Sequence, residues 1–330
     1  MVELMDKLFS VDEAGMRRKG NWLWWWWIFF FREPRGHPKQ LMVLWSTKNE
    51  ARIHCNDLEI KLREDFVRRQ GDSFNLDGAV AAWLYDGKKM RENYLLEQTP
   101  VIVSEKGVQT RSPDSRFTHS GKGFRVSLKD FDFRIGAPPE KGFYAPAYHE
   151  SRFPLGFSYD ILKFNRVPFS SNQGNGSAYF QRVRVNAPAP PWFWGLYHFD
   201  FGACLHYYEP HVGVTALTDR VEDAWLAPVK REFEFYDGRK LHRNKNVTVK
   251  PFDGGFLVES DGPAGKARVE IECYSHAAWR FRKSAFNRLT YNEYPSRVRE
   301  FSFRNSAGEW TLDDLGEGVG NAEHATGLLW

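Results

Sequence analysis

The sequence predicts an all-β protein made of two antiparallel barrels in tandem. Three observations carry this expectation. Aromatic residues are 16% of the 330 residues, with 13 Trp, 13 Tyr and 27 Phe. That is more ring surface than a helical bundle needs, and of the kind that suits a pleated surface. Short apolar or alternating runs recur along the chain, each bounded by turn residues, as in sandwiches and barrels. Asp-Gly pairs close such runs in both halves, at Asp86-Gly87, Asp237-Gly238, Asp253-Gly254 and Asp261-Gly262, and this pair suits tight hairpin turns.

Taken in order, the chain opens on one helical candidate, with Leu4, Met5, Leu8 and Phe9 at helical spacing. From residue 22 the period changes to two. Trp22, Trp24 and Trp26 face one way and Leu23, Trp25 and Trp27 the other, so both faces are apolar. Such a strand lies between two layers or lines a cavity on one side. One Trp pair belongs to the core; Trp24 and Trp26 are the candidates for lining an apolar pocket. The run WLWWWWIFFF is about half as long as a membrane-spanning helix requires. Strands follow at 40–46, 53–62, 79–85, 94–97, 101–104, 123–128 and 131–135. Residues 136–154 carry Pro138, Pro139, Pro146 and Pro154 and read as a linker. The N-terminal barrel is therefore expected over 1–145 and the C-terminal barrel over 146–330. In the second half strands are expected at 157–164, 177–185, 192–199, 203–208, 233–236, 247–251, 255–260 and 267–274, with a helical interruption at 216–227.

Composition excludes several classes. At 42% hydrophobic and 27% charged the chain is globular, and a net charge of +4 with no basic arm gives no reason to expect nucleic acid. Cys55, Cys204 and Cys273 are far apart and form no CxxC pair, so they read as reduced, buried small residues. No phosphate-binding loop, dinucleotide fingerprint or nucleophile elbow is present. We therefore expect no cofactor and no metal. The N-terminal residues lack the pattern of a secretory leader. The expectation is a cytoplasmic protein without a transmembrane segment, a monomer or homodimer, whose partner is an apolar small molecule.

The densest segment is 175–211. Its first strand places Tyr179, Gln181, Val183 and Val185 on one face, with Phe180, Arg182 and Arg184 on the other. After a proline-rich connection, Trp192, Trp194 and Leu196 alternate with Phe193 and Tyr197, and His198 and Asp200 share a face. His198, Asp200 and His206 could meet across the hairpin as an acid–base group or as a ligand set of two His and a carboxylate. Near the chain end only one of Glu323 and His324 can point into a barrel. A carboxylate aimed inward needs a partner, and Arg182 or Arg184 is the expected one.

The layout GSAYFQRV…PPWFWGLYHFDFGACLHYY resembles the second-domain core of the carotenoid 1,2-hydratase and AttH-like family, and Gly318–Gly327 resembles that family's closing strand. The resemblance implies two lipocalin-like (calycin-type) barrels and an apolar, isoprenoid- or lipid-like ligand. Where the hydratases carry an acidic residue followed by His, this chain has Gln181-Arg182. Protonating an isolated double bond needs a positioned acid; Gln has no proton to give and Arg keeps its charge. The family's acid is therefore missing at that position.

From these readings the expected catalytic residues are His198, Asp200 and Glu323. The expected ligand-binding residues are Trp24, Trp26, Tyr179, Gln181, Arg182, Trp192, Trp194 and His206. The expected function is binding, and conversion if it is an enzyme of the hydratase or isomerase type, of an apolar small molecule in an aromatic-lined barrel. The alternatives are a carbohydrate-active or carbohydrate-binding β protein, which would need paired carboxylates, and an interaction module with fully packed Trp faces.

Overall fold

The structure, a computed structural model, describes residues 2–33, 36–152, 156–187, 191–211 and 231–329. The chain is all-β with few short helices, and it divides into two compact units, the first running to residue 188 and the second from 189 to 329. The helix expected at 216–227 lies outside the described residues.

The first unit begins with two short helices, α1 (Val2–Asp6) and α2 (Glu13–Met16). Its strands are β1 (Trp22–Phe31), β2 (Gln40–Lys48), β3 (Arg52–Cys55), β4 (Leu58–Lys61), β5 (Val67–Gln70), β6 (Ser73–Tyr85), β7 (Met90–Ser104), β8 (Gly107–Arg111), β9 (Asp114–His119), β10 (Gly123–Leu128), β11 (Phe131–Gly136), β12 (Ala147–Arg152), β13 (Ser158–Ser171) and β14 (Gly174–Asn186). The order β11-β10-β9-β8-β7-β6-β2-β1-β14-β13 closes on itself through a β11–β13 pairing, giving a ten-stranded antiparallel barrel. Asp86-Gly87 makes the expected turn between β6 and β7: Gly87 has φ 93° and Asp86 Oδ1 accepts from the Lys88 and Lys89 N–H groups.

The change of unit falls later than the linker at 136–154 led us to expect. Prolines do interrupt pairing there, but β12 at 147–152 already pairs with β13, and β14 runs antiparallel to β1 from Trp22↔Val185 to Phe31↔Gly176. The reason lies in β1. A long strand apolar on both faces is a hazard as a sheet edge, and only β14 covers its second edge.

Parity along β1 sends Leu23, Trp25, Trp27, Phe29 and Phe31 into the barrel. There they meet rings of β14 and β11. Phe29 stacks on Phe133 with centroids 3.8 Å apart, and Trp27 lies 4.7 Å from Phe180. Leu8, Phe9 and Met16 of the N-terminal segment join this core, and Trp25 Nε1 donates to the Leu8 carbonyl at 2.8 Å. The barrel interior is thus built of interlocked rings. Phe29→Ala should destabilise the first unit by about 3–5 kcal/mol, the range for truncating a buried aromatic; chemical denaturation followed by Trp fluorescence measures it.

The second unit contains β15 (Trp192–Phe199), β16 (Cys204–Pro210), β17 (Glu232–Tyr236), β18 (Leu241–Asn244), β19 (Thr248–Phe252), β20 (Gly255–Gly262), β21 (Gly265–Cys273), β22 (Ala277–Arg282), β23 (Arg288–Asn305), β24 (Gly308–Thr311) and β25 (Gly318–Leu328), with helix α3 (Leu312–Leu315) before the last strand. Its ladder runs β18-β17-β16-β15-β25-β23-β21-β20-β19, with β22 and β24 pairing to β23. The sheet curls around a single core. Asn244 at the end of β18 bridges its gap by donating to Ser260 Oγ at 3.0 Å and to the Gly265 carbonyl at 2.8 Å. Asp237-Gly238 and Asp253-Gly254 are turns as expected, whereas Asp261 and Gly262 end β20, so the chain reverses beyond them.

Inside this core β15 contributes Phe193, Tyr197 and Phe199, and β16 contributes Leu205 and Tyr207. Gly195 is needed between them: a Cβ there would lie 2.4 Å from the Tyr207 ring. Among the described residues no helix is long and apolar enough to cross a membrane. Cys55, Cys204 and Cys273 are free thiols, and burial pushes Cys55 and Cys273 up to about 12.

Candidate functional site

Because Phe193 and Tyr197 point into the second core, Trp192, Trp194, Leu196 and His198 point the other way. The barrel pocket expected from Trp192, Trp194 and His198 is therefore not inside the second unit. These residues lie on the face turned away from its core.

That face carries a band of polar and aromatic side chains across adjacent strands. Glu293 of β23 and Glu323 of β25 are direct cross-strand partners, and Glu323 is in turn opposite Trp194 of β15. Directly opposed residues on one face of an antiparallel pair have Cβ atoms about 4.5–5.5 Å apart, so two carboxyl groups share one small space. Both are buried, with Glu293 3% and Glu323 7% exposed. Trp192 Nε1 donates to Glu323 Oε2 at 3.2 Å, and Asn321 Nδ2 donates to Glu293 Oε2 at 2.6 Å. The Tyr291 ring stands edge-on to Trp192, centroids 4.9 Å apart.

Burial and like charge act together on this pair. Removal from water raises Glu323 to about 7, and the Trp192 N–H opposes the shift. Glu293 is raised well above the usual carboxylate range, first by burial and then by the Glu323 charge, against the Asn321 hydrogen bond. The pair therefore retains a proton where ordinary carboxylates are ionised. Among the described residues no donor reaches the buried Asn321 Oδ1. The neighbouring phenols feel the same field: Tyr208 is pushed to about 12 by burial and then by Glu323, and Tyr291 also rises well above its ordinary value.

Beside this pair, the Trp194 and His206 rings lie edge to face at 6.0 Å. His206 stands opposite Glu234 of β17, with its Nδ1 3.5 Å from Glu234 Oε2. On the inner face, His324 stacks on Phe193 at 4.2 Å and lies 5.4 Å from His211. So His324 is the member of the Glu323-His324 pair that enters the core. Burial depresses both imidazoles to about 4.

The other expected residues are placed as follows. Asp200 lies past the end of β15, where its Oδ2 accepts from the Glu317 N–H at 3.0 Å. It belongs to a turn and is not joined to His198 or His206 there. His198 is 4% exposed and is opposite Cys204 and Val319 in the ladder. Trp24, Trp26, Tyr179 and Gln181 all belong to the first unit, on the outer face of its barrel. Trp26 meets Tyr179 edge-on at 5.6 Å, and Tyr179 Oη donates to Gln181 Oε1 at 3.2 Å. Tyr179 is 1% exposed. Grouping Tyr179 and Gln181 with Trp192 in one second-domain barrel required a boundary before residue 175; β14 belongs to the first barrel instead.

Arg182 also differs from expectation. It is not the partner of Glu323. Its Nη1 donates to Asp160 Oδ1 at 2.5 Å and its Nη2 to the Ser10 carbonyl at 2.9 Å. Arg184 Nε holds the other Asp160 oxygen at 2.7 Å, and Arg184 also pairs with Asp12. The cause is register: Asp160 is the ladder partner of Arg184, and Arg182 is two residues along on the same face. This network ties the N-terminal segment to β13 and β14.

The sequence reading missed Glu293. Its strand mixes polar and apolar residues from Arg288 to Asn292 and carries a proline at 295, and its alternation is obscured. A signal was nevertheless present in the period-two spacing of Tyr291 and Glu293 ahead of Pro295.

No protein-family profile and no curated protein matches the chain. Its fold is similar to that of a solved structure assigned as an AttH protein from Nitrosomonas europaea, at 14% identity and a TM-score of 0.52, covering 98% of this chain and 95% of that one. A structure of kievitone hydratase from Nectria haematococca also aligns, at 10% identity and a TM-score of 0.43, covering 95% and 92% of the two chains. The AttH-like resemblance implied by the sequence is thus shown at the level of fold.

Proposed function

We propose that this chain binds an apolar, isoprenoid- or lipid-like small molecule and adds or removes water at one of its double bonds, with the Glu293–Glu323 pair as the proton-holding group. The observation that carries the proposal is the pairing of two buried carboxyl groups beside Trp192, Tyr208 and Tyr291. A neutral carboxylic acid in apolar surroundings is the group that protonation of carbon requires, and it supplies what Gln181 and Arg182 cannot. In the hydration direction the carboxyl proton goes to one alkene carbon. The cation left on the other carbon takes a water molecule, and the resulting oxonium returns a proton to the carboxylate. Neighbouring ring faces favour the transient cation. A group near pH 7, as Glu323 is, can both give and recover a proton at neutral pH.

The test is incubation with a panel of isoprenoid alkenes in deuterated water, read by mass spectrometry. A hydrated product bearing one carbon-bound deuterium is expected, with loss of at least about 100-fold in turnover for Glu323→Gln, the lower bound for removing a general acid. Unchanged turnover in that variant would remove the pair from the chemistry. Paired carboxylates beside Trp also favour a second reading, glycoside hydrolysis. Release of sugar from aryl glycosides, with no conversion of the alkenes, would establish it in place of the first.

A further inference from the structure

A second convergence of side chains lies on the same outer face, and the hydration chemistry does not use it. His206 of β16 stands directly opposite Glu234 of β17, and Glu232 stands opposite the next residue on that face, Tyr208. Period two keeps Glu232 and Glu234 on one side of β17. One ligand atom from each of His206, Glu232 and Glu234 lies within 4.8 Å of the others. His206 is 7% exposed and Glu234 2%, while Glu232 is half-buried at the rim. The His206 Nδ1 atom is shielded from solvent and, among the described residues, has no hydrogen-bond partner. It faces Glu234 Oε2 at 3.5 Å, whereas Glu234 Oε1 is held by Arg243 Nε at 2.5 Å.

An unpartnered buried imidazole nitrogen beside two carboxylates is a costly arrangement unless something lies between them. A divalent cation satisfies all three. We propose that His206 Nδ1 and one oxygen each from Glu232 and Glu234 bind a divalent transition-metal ion, with zinc the best match.

The donor set argues for that class of ion. Calcium takes six to eight oxygen ligands, and magnesium prefers oxygen and keeps its waters. One imidazole with two carboxylates suits zinc, manganese, iron or cobalt. Zinc bonds of about 2.0–2.2 Å to nitrogen and oxygen place tetrahedral ligand atoms about 3.4 Å apart. The atoms here, within 4.8 Å of one another, need to close by no more than roughly 1.4 Å against that spacing. Arg243 fixes one Glu234 oxygen and so aims the other at the ion, as outer partners of metal ligands do. Three protein ligands leave a coordination position for water or another exchangeable ligand.

The experiment uses the full chain after chelator treatment. Cobalt(II) is titrated and followed by visible absorption, and zinc(II) is measured by equilibrium dialysis. Expected are saturation at one ion per chain, displacement of cobalt by zinc, and a higher thermal midpoint with zinc, since an ion bound only to the folded state stabilises it. Glu232→Gln and His206→Phe should each weaken binding at least about 10-fold, the lower bound seen even for outer-shell partners. Glu232→Gln alters a rim residue and decides the matter if His206→Phe does not fold. Absence of saturable binding by the wild-type chain, or equal affinity in a folded variant, would overturn the site.

Discussion

Arg182→Met should destabilise the folded chain by about 3–5 kcal/mol, the range for breaking a buried ion pair by removing one partner. Arg182 and Asp160 are both nearly solvent-free, with side chains 4% and 3% exposed. Most of the cost is the Asp160 charge left in a site that water does not reach. Arg184 retains its hold on the second Asp160 oxygen, which sets the effect at the lower end of the range. The Ser10 carbonyl also loses its donor, so the N-terminal segment should loosen from the barrel. Hydrogen exchange at residues 8–16 would register this apart from the global change. Replacing both partners, as in Arg182→Met with Asp160→Leu, should recover much of the loss, because no fully buried charge is left alone and Arg184 keeps Asp12 as its partner. A single variant as stable as wild type would show that the pair contributes nothing.

The second large effect is the dependence of stability on pH, in which buried carboxyl and buried imidazole groups oppose each other. Glu323 is raised from 4.5 to about 7. A carboxyl whose folded value is raised binds more protons folded than unfolded between these limits. Its stabilisation is complete below about 4.5 and is lost as pH rises through about 7, roughly 3 kcal/mol in all. His211 and His324 are lowered from 6.5 to about 4. Their sign is opposite: full stability holds above 6.5 and is lost as pH falls toward 4, again roughly 3 kcal/mol for each group. Denaturant titrations from pH 4 to 8 should separate the two. Glu323→Gln together with Glu293→Gln should flatten the alkaline arm, and His211→Phe with His324→Phe the acid arm. An alkaline arm as steep in the double Gln variant as in wild type would mean that neither carboxyl group is raised in the fold.

The carboxylate pair also shows why sequence reading stopped where it did. Glu323 could be singled out because it lies in a motif of small residues on a closing strand. Its partner is 30 residues earlier, and only the β23–β25 register brings Glu293 opposite it. A shift of one residue in that pairing would turn Glu293 to the other face. The same holds for His206. Its candidacy was visible from its place in the hairpin after β15, but Glu232 and Glu234 follow only once β17 is laid beside β16.

The first barrel gives the complementary case. Alternation in WLWWWWIFFF established that both faces of β1 are apolar. It could not say which set of rings was inside, because the two sets have equal hydrophobicity; that choice fell to Trp25 and Trp27, which pack on Phe117 and Phe180 or reach the Leu8 carbonyl. Local sequence by itself determined the all-β class, most second-half strands, three of the four Asp-Gly turns and the polarity of each face, since these depend on period, turn conformation and side-chain type over a few residues. Tertiary structure decided the end of the first unit beyond β14, the choice of Asp160 over Glu323 for Arg182, and the meeting of Glu293 with Glu323. Each of these depends on the register of strands distant in the chain, and with a side-chain period of two, register alone decides which charges meet.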